Sequence, residues 1–131
     1  MTVQFPSPST DTIAPAEILV AAARCWRDAC DEGEPIQPRL ARILTDHGCA
    51  MLAPVLDSLY LFYESALGRR MAVGNARTRS EDEDQLVGLV DGSRPRACLD
   101  CGRDAGRTLD CALCSTRIML AMTLGSPTAV Q

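Results

Sequence analysis

The stretch CAMLAPVLDSLYLFYESAL, residues 49–67, is the most apolar part of the 131-residue chain. Its apolar residues recur with the three- and four-residue spacing of a helix. A proline near its beginning and a glycine directly after its end are typical of helix boundaries. The stretch therefore predicts a central helix with a broad buried face, made up of Leu52, Val55, Leu56, Leu59, Phe62, Tyr63 and Ala66.

Two amphipathic helices are predicted on the N-terminal side of this stretch. The first begins near Pro15 and ends at Gly33, and its apolar residues share one face. The second is shorter, beginning at Pro38 and stopping at Gly48. Only five residues of the chain are aromatic (two Phe, one Trp and two Tyr), while Ala, Leu and Val are frequent, which favours closely packed helices over sheets.

The charge of the chain changes sharply after the central helix. Residues 65–80 carry four arginines and no acid, whereas residues 81–91 carry five acids and no base. Residues 73–75, VGN, favour a turn, so the arginine-bearing segment is expected to be an exposed loop or a short hairpin. Ser80 and Glu83 have the spacing of a capping box, which predicts a further helix whose first turn places its acids in solvent.

Four of the seven cysteines form two C-x₂-C pairs, Cys98 with Cys101 and Cys111 with Cys114. Four thiolates match the tetrahedral preference of Zn²⁺, and two residues between partners let a tight turn direct both sulfurs at one ion. In a reducing compartment this spacing indicates metal or redox chemistry rather than disulfides. The sequence therefore predicts one structural zinc ion bound by all four cysteines.

Other interpretations of these cysteines stay open. An iron–sulfur cluster also takes four cysteine ligands. Without a metal, Cys111 and Cys114 alone would form a redox pair, or the thiols would be inert. The remaining cysteines, Cys25, Cys30 and Cys49, lack metal-binding spacing and are expected to be small buried residues.

The last helix is expected to begin near Cys111 and to end near Leu124, after a turn at Gly106. Cys111 and Cys114 would then lie in its first turn, where free amides and the helix dipole stabilise thiolates. A cysteine pair on a turn combined with a pair on a helix resembles the treble-clef and zinc-ribbon families of zinc fingers, over residues 98–124. This resemblance implies a structural zinc site.

These elements together predict a mainly α protein, a small helical bundle of about four helices with a C-terminal four-cysteine zinc module and a final helix. The expected organisation is a flexible arm at residues 1–12, a helical body at 13–92, the zinc module with its terminal helix at 93–125, and a flexible tail at 126–131.

The helical body resembles small uncharacterised proteins of alphaproteobacteria in its Arg69-Arg70 pair and in residues 80–83, SEDE. The resemblance implies a bacterial cytoplasmic setting. Residues 1–10 have neither a basic region nor an apolar core of the kind that a secretory signal has. The longest apolar stretches fall short of the roughly 20 residues that span a bilayer. We therefore expect a cytoplasmic protein that does not bind membranes.

No catalytic group stands out, because no nucleophile can be matched to a base and the single histidine, His47, is expected at a helix end. The leading interpretation is a non-enzymatic zinc-binding protein that acts through protein–protein contacts, with a regulatory role. Arginine side chains bind acidic groups well. The candidate partner-binding residues are therefore Arg69, Arg70, Arg77 and Arg79.

Two alternative functions are a thiol redox switch and a transcriptional regulator that binds nucleic acid. The regulator would use the arginines around the zinc module, Arg94, Arg96, Arg103, Arg107 and Arg117. The net charge of −4 disfavours a general nucleic-acid binder.

Overall fold

The computed structural model describes residues 14–124, which are mainly helical and contain no strand. The helices in this range are α1 Pro15–Glu32, α2 Ile36–Thr45, α3 Ala53–Leu67, α4 Glu81–Asp91 and α5 Arg103–Leu124. Short 3₁₀ turns, Ala50–Leu52 and Arg96–Cys98, precede α3 and α5. The prediction of a mainly α protein is confirmed for this range. The expected arm at 1–12 and tail at 126–131 lie outside it.

The N-terminal helices begin and end close to their predicted boundaries. α1 starts at Pro15 and is followed by Gly33, whose φ of +68° suits a residue without a side chain. α2 begins at Ile36 rather than at Pro38. A proline is tolerated throughout the first turn, because the amides there have no acceptor within the helix.

The central helix α3 packs against α1, α2 and α5 and carries two completely buried tyrosines. The Tyr60 hydroxyl donates to the Leu19 carbonyl at 2.8 Å, and the Tyr63 hydroxyl donates to the Asp82 carbonyl at 2.8 Å. The Trp26 ring lies with its centroid 5.8 Å from that of Tyr60. Since a buried hydroxyl without a partner is costly, these hydrogen bonds fix how α3 lies against α1 and α4.

The final helix α5 shares the hydrophobic core of the body, and its most extensive partner is α3. Leu67, at the end of α3, and Leu99, shortly before α5, line the same surface cavity. The 3₁₀ turn that precedes α3 also contacts α5. The residues on the two sides of the expected boundary at residue 93 therefore share one hydrophobic core. The buried residues of α5 are Gly106, Leu109, Ala112, Leu113, Thr116 and Leu120.

The predicted capping box is present at the start of α4, but two acidic residues of this turn are buried. The Ser80 hydroxyl accepts from the Glu83 N–H at 3.0 Å, and the Glu83 carboxylate accepts from the Ser80 N–H at 2.9 Å. Glu83 is 1% exposed and Asp82 is 6% exposed. The expectation that the acids of this turn are solvated is therefore wrong for both residues.

The carboxylate of Glu83 joins α1 and the arginine loop, residues 69–80, to the start of α4. Arg24 of α1 donates to both oxygens, at 2.8 and 2.9 Å, and the Gly74 N–H donates at 3.1 Å. Burial raises the pKa of Glu83, but the hydrogen bonds from Arg24, Ser80 and Gly74 outweigh it and hold the pKa below its usual value. Glu83 is thus ionised and fully surrounded by donors.

Asp82 attaches the arginine loop to α4 a second time. Arg69 donates to its two oxygens at 2.7 and 2.8 Å, and the Ala72 N–H donates at 2.7 Å. The hydrogen bonds from Arg69 lower the pKa of Asp82; burial acts in the opposite direction, and the Ala72 N–H adds to the lowering. Within the loop, the Asn75 side chain accepts from two backbone amides and forms the predicted turn.

None of the helices within residues 14–124 has the length and apolar character needed to cross a membrane.

Replacing Glu83 by alanine is expected to lower the free energy of unfolding by about 3 kcal/mol, because it leaves Arg24 and two backbone amides without their acceptor. Urea denaturation followed by circular dichroism measures the change. The matched control is Glu81→Ala, which removes an exposed carboxylate from the same turn. Equal stability of the two variants would contradict the role assigned to Glu83.

Acidification is expected to destabilise the protein through Asp82 and Glu83. Folding lowers the pKa of both groups, so their contribution is complete above the unfolded pKa values of about 4 and is lost as the pH falls through the lower folded values. The free energy of unfolding, measured between about pH 5 and pH 2, should fall less steeply in an Asp82→Asn/Glu83→Gln variant. Parallel curves for variant and wild type would show that other groups control acid stability.

Candidate metal centre

The two cysteine pairs lie in different surroundings. Cys98 ends the 3₁₀ turn before α5 and Cys101 lies in the link that follows, whereas Cys111 and Cys114 lie within α5 itself. Cys98, Cys111 and Cys114 are exposed and Cys101 is half-buried. All seven cysteines carry free thiols.

The position of the second pair differs from the prediction, because α5 begins at Arg103 and not near Cys111. Gly106, expected to form a turn, is helical and buried. A glycine costs about 1 kcal/mol in a helix, but burial of Leu109 and Leu113 in the core offsets that cost. The predicted turn at Gly106 and the predicted helix start are therefore both wrong.

Arg96 occupies the space that Gly106 leaves open. A Cβ atom at Gly106 would lie 2.8 Å from an Arg96 guanidinium nitrogen. From this position Arg96 donates to the Asp110 carboxylate at 2.9 Å and to the Cys101 sulfur at 3.3 Å. Arg96 therefore links Cys101 to the first half of α5.

The sulfur atoms of the two pairs do not converge in this conformation. Each ligand of a zinc ion must place its sulfur about 2.3 Å from the metal. No three His, Cys, Asp or Glu side chains between residues 14 and 124 are grouped so that they could hold a metal. Binding of one ion by all four cysteines of one chain requires a rearrangement of this conformation, and it stays a prediction.

A row of exposed residues follows the outer side of α5, and we call Cys111, Cys114, Ile118 and Met122 the outer stripe. At about 100° per residue, these four positions fall within an arc of about 80°, opposite the face that packs in the core. Ile118 is 53% exposed and Met122 is 74% exposed. The outer stripe therefore places two thiols and two apolar side chains on one accessible helix face.

The cysteines outside the two pairs are part of the core or pack against it. Cys49 is fully buried, while Cys25 and Cys30 are half-buried. Burial raises the pKa of each of these thiols. The expectation of a small buried residue is confirmed for Cys49 and holds only partly for the other two.

The candidate partner-binding arginines are exposed, as predicted, but most of their charge is neutralised within the chain. Ion pairs join Arg69 to Asp82, Arg70 to Asp31 and Arg79 to Asp84. Arg77 forms no ion pair with any residue in the described range. Arg77 is therefore the member of the set with most of its charge available to an acidic partner.

A surface cavity of about 510 Å³ lies next to the first cysteine pair. Its lining includes Gln85, whose amide donates to the Cys98 sulfur at 3.8 Å, and the paired side chains of Arg69 and Asp82. The lowered pKa of Asp82 keeps this carboxylate ionised, and its oxygens already accept hydrogen bonds. Such a carboxylate is a poor general acid or base near neutral pH.

No protein-family model, curated protein or solved structure matches this chain.

In the metal-free protein, Cys98, Cys111 and Cys114 are expected to react rapidly with a thiol reagent such as dithionitrobenzoate, because they are exposed. Cys49 should react only when the protein unfolds. Stopped-flow absorbance of protein treated with chelator measures the phases. A Cys111→Ser/Cys114→Ser variant is the control and should lose two thiols from the rapid phase. Retention of that phase in full would contradict the exposure of the outer stripe.

Proposed function

We propose that the protein is a non-enzymatic zinc-binding protein that acts through protein–protein contacts, with a regulatory role in a bacterial cytoplasm. The observation that supports this proposal most is the outer stripe, where two exposed thiols adjoin two exposed apolar side chains. Thiolates are preferred zinc ligands. Exposed apolar side chains that lie together on a surface favour binding of another protein.

The cytoplasmic location is supported by the cysteine chemistry. A reducing compartment keeps thiols available as metal ligands, and the spacing of the two C-x₂-C pairs suits a metal better than a disulfide framework. The proposal that the protein is not an enzyme is supported by Asp82 and Glu83, since both buried carboxylates are occupied by hydrogen bonds that stabilise the fold.

The redox alternative is less well supported than metal binding. The Cβ atoms of residues three apart on a helix are about 5–6 Å from each other, whereas a disulfide requires about 3.5–4.5 Å. Cys111 and Cys114 would therefore form a disulfide only if α5 were distorted. A metal ion bridges the wider separation without that distortion.

The nucleic-acid alternative is weakened by the contacts of the arginines around the module. Arg96 is paired with Asp110. Arg117 donates to the carbonyl groups of Leu89 and Val90, at 2.7 and 2.9 Å, and so stabilises the end of α4. These two guanidinium groups are already engaged within the chain, which leaves fewer of them for phosphate contacts.

The protein purified in the presence of zinc is expected to retain the metal in native mass spectrometry. A variant with serine at Cys98, Cys101, Cys111 and Cys114 is the matched control and should lose all bound zinc, because a serine hydroxyl is a poor zinc ligand. Circular dichroism should show that its helices persist, since three of the four positions are exposed. A metal-free wild type, or zinc bound equally by both proteins, would contradict the proposed function.

A further inference from the structure

We propose that the zinc ion is shared by two copies of this chain, each of which contributes Cys111 and Cys114. The inference depends on the proposed function for the presence of zinc. It adds the identity of the protein partner, which is a second copy of the same chain bound through the outer stripe.

The spacing of Cys111 and Cys114 suits one side of a zinc site. Two sulfurs on a tetrahedral zinc ion lie about 3.8 Å apart, as follows from zinc–sulfur bonds of about 2.3 Å. Side chains whose Cβ atoms are about 5–6 Å apart reach this separation by rotation about χ1. One α5 helix therefore supplies two ligands without any change in its backbone.

The other two ligands do not come from the same chain in this conformation. Cys98 and Cys101 precede α5, and the Cys101 sulfur accepts a hydrogen bond from Arg96. No third His, Cys, Asp or Glu side chain within residues 14–124 is grouped with Cys111 and Cys114 so that the three could hold a metal, and the neighbouring Asp110 is paired with Arg96. A closed structural zinc site requires four ligands, so the pair is half of such a site. A second copy supplies the missing half with the same chemistry.

The rest of the outer stripe fits a contact between two α5 helices. Ile118 and Met122 continue the row of the two cysteines, and both are more than half exposed. Pairing through this face leaves the packing of α5 against α3 intact, because the two faces are opposite. A two-fold axis through the zinc ion makes the contact closed, with the same patch used by both copies.

The charges exposed on α5 do not oppose this pairing. They are mixed in sign, and consist of Arg103, Asp104, Arg107, Asp110 and Arg117. A helix with both signs of charge produces no single-sign field that would repel a second copy.

Titration of the full chain with zinc chloride, followed by native mass spectrometry and light scattering, tests the shared site. We expect one zinc ion per two chains and a return to monomers when a chelator is added. Cys111→Ser and Cys114→Ser should each lose both the metal and the dimer. The matched controls Cys98→Ser and Cys101→Ser should keep both. Circular dichroism verifies that all four variants are folded.

The stoichiometry separates this inference from the proposed function. One zinc ion per monomer, lost from each of the four serine variants, would overturn the shared site and leave a zinc-binding protein. Absence of any bound zinc would overturn both. A dimer that persists unchanged in chelator would overturn the role of the metal in pairing.

A variant that keeps all thiols tests the apolar part of the contact. Ile118→Ser/Met122→Ser should raise the dissociation constant of the zinc-linked dimer by about tenfold or more, because two apolar side chains are no longer buried. An unchanged dissociation constant would exclude the outer stripe as the interface.

Discussion

The carboxylate of Glu83 accepts hydrogen bonds from α1, from the arginine loop and from the start of its own helix. A buried charge is tolerated only when donors surround it, so these three segments have to meet in one arrangement. α4 is therefore fixed at its beginning by its acids. It is fixed at its end by Arg117 of α5, which donates to its last carbonyl groups. This second contact joins α5 to the end of α4.

α5 thus has two apolar faces with different roles. The inner face contributes Leu109 and Leu113 to the core, and the outer stripe remains accessible. A zinc site made by all four cysteines of one chain would require Cys98 and Cys101 to leave this conformation, in which Arg96 donates to both Cys101 and Asp110. The proposed pairing of two helices through the outer stripe keeps these contacts.

The opposite charges of the arginine-bearing segment and of the acidic segment that follows it also have a structural explanation. The two segments neutralise each other where the loop folds back on α4, through Arg69 with Asp82 and Arg79 with Asp84. The arginine charges that the sequence suggests for partner binding therefore serve in large part to hold the loop against the rest of the chain. Arg77 is the exception, because its guanidinium group makes no ion pair within residues 14–124.

The sequence alone predicted the features that depend on neighbouring residues. Helical periodicity, the capping box of Ser80 and Glu83 and the spacing of the cysteine pairs all express interactions over a few residues of chain. The burial of Glu83 could not be predicted from the sequence alone, because its partner Arg24 lies 59 residues away. Whether a helix continues through Gly106 depends on packing against α3, and so does the face on which Cys111 and Cys114 lie. Only the tertiary structure decided these points, since long-range burial can outweigh the local preference of a glycine for a turn.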